Sequence, residues 1–220
     1  TQGLLVHYLP DRNPLLDAAE RREWAACFDR AVAGLDGLLV TGRGAAAALA
    51  RRHPGLPVFC CEPGVDPVFS ATLETVTAPG RDDPVRIATI ANLLPAKGQA
   101  DLLERLAELR HLNWEWHLAG DETLATDYVR GFLDRADRLG LASRMIRHGV
   151  LPAAGVAALL ARMDIFACPS RFECYGMALA EAAAMGLPIV TRAVGEAERQ
   201  VKDGETGFVL RGSDDAGFTS

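Results

Sequence analysis

Apolar residues along the chain cluster in short runs at 3–9, 37–41, 57–61, 85–91, 114–119, 165–168 and 187–190, with a weaker run at 144–150. Each run is bounded by Gly, Pro or charge, as strands are. Between them the apolar positions recur with helical spacing at 17–32, 44–52, 99–109, 126–139, 153–162 and 176–185. Strands that are apolar throughout, alternating with helices, mark a parallel sheet covered on both faces. The pattern predicts an α/β fold, open and doubly wound with Rossmann-like parallel sheets. It breaks at residues 70–84 (SATLETVTAPGRDDP), where large apolar residues are few and Pro, Gly and charge collect. That stretch reads as a connection. It divides the chain into a first unit over 1–70, a linker over 71–84 and a second unit over 85–220. The first holds about three strand–helix pairs, a partial domain, whereas the second is a nearly complete Rossmann-like domain.

Composition narrows the function classes. The 220 residues are 49% hydrophobic and 24% charged, as in an ordinary globular protein, and the net charge is −6. An acidic chain without a run of Lys or Arg is a poor partner for nucleic acid and gives no support for membrane association. No apolar run approaches the ~18 residues of a membrane-spanning helix. The five cysteines are odd in number and lack Cys-x-x-Cys spacing, so they predict buried free thiols in a reducing, cytoplasmic setting. Neither they nor the five histidines have zinc-ligand spacing, so no metal site is expected; no bound cofactor is expected either.

Two segments carry candidate chemistry. In IFACPSRFECYGMALAEAAAMGLPIV (165–190) a strand leads through a loop into an Ala-rich helix that contains one carboxylate, Glu181. A carboxylate in such a wall needs donors: ligand hydroxyls are one set, an ion pair with an Arg such as Arg192 the other. Gly176 at the helix start allows close approach of a ligand to free backbone N–H groups. Glu173, in the loop, serves either a ligand or the helix dipole. In VRIATIANLLPAKGQADLLERLAEL (85–109), Lys97 stands at the start of a helix, the unfavourable end for a cation. It is either a solvated surface Lys or the partner of an anion held there.

Taken together, ANLLPAKGQADLLERLAEL, LAGD (118–121), HGVLPAAGVAALLARMDIFACPSRFECYGMALAEAAAMGLPIV and DGETGFVL (203–210) resemble the family 4 glycosyltransferases of GT-B fold, which are mostly retaining. Upstream, EPGVDPVF (62–69) resembles the segment entering the connection between the two domains of that family, and LLVHYLP (4–10) resembles a late strand of its N-terminal domain. The resemblance implies a metal-independent transfer of sugar, with retention, from a nucleoside diphosphate sugar to a hydroxyl of a saccharide, lipid-linked or small-molecule acceptor. It implies that Lys97 holds the donor diphosphate, that Glu181 binds the ribose hydroxyls and that Gly176 and Met177 face sugar and phosphate. Glu173 would touch the donor sugar near its reacting carbon, and His7 would line the sugar site unless it is an ordinary strand-end histidine. The loops near Asp121 and at 148–150 would border the base.

Two positions depart from the family pattern. Asn92, counted with the donor-binding positions, stands where an Arg is usual, five residues before Lys97. The usual Gly-Gly-Ile-Pro-Glu block is here Val194-Gly195-Glu196-Ala197-Glu198. These departures keep a second reading open, a nucleotide-sugar-binding module without turnover. A GT-B epimerase would need further catalytic carboxylates and histidines that no recognisable spacing supplies. By the same resemblance the chain is expected to be cut at both ends, holding the last part of an N-terminal domain and most of a donor domain.

Overall fold

The computed structural model describes residues 2–7, 9, 11, 16–71 and 83–212. Contacts divide the chain into a first unit, running through Gly64 and including Phe172–Gly176 and Val194–Glu196, and a second unit made of the remainder. The division at Gly64 precedes the expected one at residue 70. Val65, Val68 and Phe69 explain it: Phe69 is 1% exposed in a core of the second unit, and the other two pack around it. Most of the expected linker, residues 72–82, lies outside the described residues.

In the first unit, β1 (Gly3–Val6), β2 (Gly37–Val40) and β3 (Val58–Cys60) form a parallel sheet in that order. The crossovers are α1 (Ala18–Val32) and α2 (Arg43–Arg52). A capping box starts α1: the Asp17 carboxylate accepts from the Glu20 amide while Glu20 accepts from the Asp17 amide. One sheet face packs Val6, Leu38 and Val40 with Val32 and Leu49 of the helices. The register sets Leu5 beside Leu39 and Leu39 beside Phe59 on the other face, where all three are exposed. The expectation of buried thiols holds only in part. Cys168 is buried and Cys174 intermediate, but Cys27, Cys60 and Cys61 are exposed, the last two at the end of a sheet-edge strand.

The second unit begins with the single turn α3 (Val68–Ala71). There follow β4 (Val85–Ile90), α4 (Gln99–Glu108), β5 (Trp114–Ala119), α5 (Thr126–Leu139), β6 (Met145–Arg147), α6 (Ala153–Leu160), β7 (Ile165–Cys168), α7 (Met177–Ala184), β8 (Ile189–Arg192), α8 (Ala197–Gln200) and β9 (Gly207–Leu210). The six strands pair in parallel in the order β6-β5-β4-β7-β8-β9. Helices α4 and α5 bury Leu103, Leu106 and Phe132 against Trp114 and Trp116 on one face. On the other, α6 and α7 bury Leu160 and Leu179 against Ala88, Phe166 and Ile189. This is the doubly wound arrangement that the strand–helix alternation predicts. Inside it the Trp116 indole N–H donates to Thr89 Oγ1 (3.0 Å), and the Thr89 hydroxyl donates to the Ala167 carbonyl (2.9 Å).

Candidate active site

Strand order reverses direction between β4 and β7, which pair through Ile87–Ile165 and Ala88–Phe166. In open α/β sheets ligands bind beyond the carboxyl ends of the strands at such a point. The loops leaving these two strands carry Lys97 and, after β7, Glu173 and Gly176.

Within the second unit the two loops touch. A short 3-10 turn over Pro95–Lys97 ends at Gly98, whose φ of 70° is left-handed. A Cβ at Gly98 would sit 2.1 Å from the Pro169 carbonyl oxygen. Only glycine fits both the dihedral and the approach. Gly98→Ala should therefore destabilise the unit by about 2 kcal/mol or more, checked by urea unfolding. The Arg171 amide donates to the Ala96 carbonyl (2.9 Å), closing the contact from the other side. Lys97 is half-buried at the end of this turn.

Asn92 lies at the joint with the next loop. Its side-chain carbonyl accepts from the Asp121 amide (3.0 Å), and its backbone carbonyl accepts from the buried Gln99 side chain (3.0 Å). Asp121 in turn accepts from the Thr123 amide and hydroxyl, which hold its carboxyl below the ordinary value. Asn92 is thus an acceptor tying the loop after β4 to the loop after β5, a role that an Arg side chain, a donor only, does not perform. After β6, His148 Nε2 lies 3.0 Å from His117 Nδ1, and His117 Nε2 lies 2.9 Å from Glu115. Burial first, then the charges of His117 and Arg162, push His148 down.

Met177 opens α7 and is exposed, whereas Leu179 and Ala182 of the same helix are fully buried. Glu181 is half-buried one turn in. Burial and then the negative charge of Asp66 push its carboxyl above the ordinary value. Among the described residues no donor or cation pairs with that carboxylate. Arg192, the ion-pair partner considered from sequence, is engaged elsewhere: it donates to the Pro169 carbonyl (2.6 Å) and to Asp101 (3.1 Å).

The first unit holds the other candidates. The loop Phe172–Gly176 brings Glu173 to the carboxyl end of β2, where a Cβ on Gly42 would lie 3.0 Å from the Cys174 carbonyl oxygen. His7, exposed, follows the neighbouring strand β1. Gly195, at φ 58°, lies so close under the loop that a Cβ there would be 2.8 Å from the Glu173 carbonyl oxygen.

Residues 84–220 match the family described as Glycosyl transferases group 1. The chain belongs to the group 1 glycosyl transferases. Among curated relatives it is 28% identical over 207 residues to the D-inositol 3-phosphate glycosyltransferase of Stackebrandtia nassauensis, covering 87% of this chain and 46% of that protein. It is 32% identical over 182 residues to the GDP-mannose-dependent alpha-(1-6)-phosphatidylinositol monomannoside mannosyltransferase of Mycolicibacterium smegmatis, covering 78% of this chain and 45% of that one. The chain thus spans about half the length of these relatives. The structure of Anabaena Alr3699/HepE in complex with UDP and glucose superposes with a TM-score of 0.78 at 20% identity, over 99% of this chain and 59% of that one. Sucrose-phosphate synthase from Thermosynechococcus elongatus does so with a TM-score of 0.78 at 18% identity, over 98% and 56%. At such identities the likeness shows the fold, which is GT-B.

Two residues of this group 1 glycosyl transferase escape sequence reasoning. Glu196, 5% exposed in the first unit, accepts from the Gly44 amide (2.9 Å) in the first turn of α2, whose N-cap Gly42 has no side chain to do so. Asp101 in α4 accepts two hydrogen bonds from Arg171 and one from Arg192. Burial alone would raise the Asp101 carboxyl, and the two guanidiniums outweigh it, so it lies below the ordinary value. Glu198, which matches the family Glu in sequence, pairs instead with Arg211.

Proposed function

We propose that this group 1 glycosyl transferase binds a nucleoside diphosphate sugar beyond the carboxyl ends of β4 and β7 and transfers the sugar, with retention and without a metal, to a hydroxyl acceptor. One observation carries the reading: Glu181, a half-buried carboxylate held above its ordinary pKa, has no partner among the described residues and stands on the helix that follows β7. A cis-diol of a ribose supplies the two donors it lacks. Lys97, with the turn it ends, takes the diphosphate, and the α7 amides after Gly176 add donors for sugar or phosphate. Glu173 and His7 serve the sugar.

In the reaction the bond between the anomeric carbon and the diphosphate oxygen breaks, and its electron pair leaves with the diphosphate. The acceptor oxygen forms the new bond on the same face, and its proton passes to a leaving phosphate oxygen. Lys97 stabilises the charge that builds on the diphosphate, and Glu173 stabilises the positive charge that builds on the sugar. Cations and a helix N-terminus meet the electrostatic need without a bound ion. For the base this reading takes guanine or uracil, after the GDP-mannose of the Mycolicibacterium relative and the UDP bound to Alr3699/HepE, and for the acceptor a polyol or a lipid-linked polyol, after the inositol phosphate and phosphatidylinositol monomannoside of the curated relatives. Free cysteines and a soluble donor fit a cytoplasmic site of action.

Glu181→Gln separates stability from function. The native carboxyl binds its proton more tightly than the unfolded one, so stability falls as pH rises from the ordinary carboxylate value through the raised one. The amide removes that cost. At neutral pH the variant should be more stable by about 0.5–1 kcal/mol in urea unfolding, a gain that shrinks as pH is lowered, while donor binding weakens.

A second reading, donor binding without turnover, is favoured by Asn92, which is engaged with the Asp121 loop where a second cation is usual. Ligand-observed NMR with UDP-, GDP- and ADP-sugars, run beside assays of donor hydrolysis and transfer, distinguishes the two. Binding accompanied by hydrolysis or transfer supports the transferase. Tight binding with neither supports the module, and no binding of any donor rejects both.

A further inference from the structure

We infer that Asp101 is a positioning residue for the donor diphosphate: by gripping Arg171 and Arg192 together it fixes the Lys97–Gly98 turn against the loop that follows β7. The inference rests on the proposed role of Lys97 and goes beyond it, because Asp101 itself touches no donor.

The network joins three segments far apart in sequence. Arg171 approaches Asp101 as a fork, with Nε 2.7 Å from one carboxylate oxygen and Nη2 2.6 Å from the other. Arg192 Nη2 reaches the first of these oxygens at 3.1 Å. Three further bonds of the cluster end on backbone carbonyls of the two loops in question. Arg192 Nη1 donates to Pro169 (2.6 Å), and the Arg171 amide donates to Ala96 (2.9 Å). The Asp101 amide donates to Gly98 (3.0 Å). The turn has little slack, since Gly98 is already in contact with the Pro169 carbonyl. The side chains of Asp101 and Arg192 are only 15% and 11% exposed, so solvent screens them little.

Charge explains why an acid is required. Two guanidiniums meet on one carboxylate beside the turn that ends in Lys97, at a position where Asn92 supplies no charge. Without the carboxylate, two cations would face each other, one of them nearly buried, and their repulsion would drive the clip open. The Lys97 ammonium would then lose its place relative to the loop after β7. Catalytic and binding groups displaced by about 1 Å lose much of their effect.

The test compares two probes on the full chain. Binding of UDP and uridine, of GDP and guanosine, and of ADP and adenosine is measured by ligand-observed NMR for the wild type and for Asp101→Asn. The wild type first identifies the base, and binding none of the three diphosphates overturns the donor reading itself before any variant is considered. With the base known, Asp101→Asn should weaken the nucleoside diphosphate about tenfold and the nucleoside less than about twofold, because only the phosphate end is displaced. Equal losses on both probes, or no loss on either, overturn the positioning role and leave the donor reading standing. Should Asp101→Asn fail to fold by circular dichroism, Asp101→Glu takes its place. It keeps the charge but shifts the fork by one methylene, and it should lower the diphosphate-over-nucleoside preference about threefold; an unchanged preference overturns the inference.

Discussion

Lys97→Ala should weaken binding of a nucleoside diphosphate sugar by about 1.5–3 kcal/mol, roughly 10- to 150-fold, because it removes a charge-assisted contact to the diphosphate. The fold should survive. Lys97 is half-buried at the end of a turn held by Gly98 and by the backbone bond from Arg171 to Ala96. The loss should concentrate on charge. Wild-type affinity should fall as salt is raised, and the variant should show a shallower salt dependence. Isothermal titration of wild type and variant at two ionic strengths checks this. Unchanged affinity in Lys97→Ala removes the Lys from the site.

Glu173→Ala is expected to act on a different quantity. If Glu173 stabilises charge only as the glycosidic bond breaks, its loss should lower turnover by about 10²–10³-fold and change donor affinity little. The loop should hold its course, since Gly195 and Gly42 press on its backbone carbonyls and not on the Glu173 side chain. Donor hydrolysis and transfer, measured with binding on the same preparation, read the two effects separately. Turnover near the wild-type value would mean that Glu173 shapes the loop and takes no part in the chemistry.

Much of this is legible in the sequence. Strand and helix positions follow from apolar periodicity, and two strands, Trp114–Ala119 and Ile165–Cys168, match the apolar runs end to end. Elements of one turn, such as α3 and α8, carry too little pattern to be read. The unit boundary moved for a related reason. Val65, Val68 and Phe69 sit among prolines, glycine and acid, and nothing local says which core they join. At the site, Lys97, Glu173, Gly176 and Glu181 stood out because each is chemically awkward where it lies: a cation at a helix start, acids in or beside an Ala-rich helix, a glycine at a helix entrance. Asp101 was invisible by the same logic. An acid in the first turn of a helix is electrostatically ordinary, and its partners lie 70 and 91 residues away. Arg192 could be assigned to Glu181 from sequence only because the competing carboxylate was not seen. Glu196 was hidden likewise, since its ligand is a backbone amide 152 residues distant.

The central claim is that a nucleoside diphosphate sugar binds at the strand ends where β4 and β7 diverge. Titrating the isotopically labelled chain with the preferred UDP- or GDP-sugar, and following backbone amide resonances, tests it most directly. The account predicts the largest shifts at residues 92–98 and 176–181. Shifts confined to the opposite edge of the sheet would contradict it, for example in the cavity of about 590 Å³ lined by Ile165, Leu187, Pro188 and Phe208 at the strand starts.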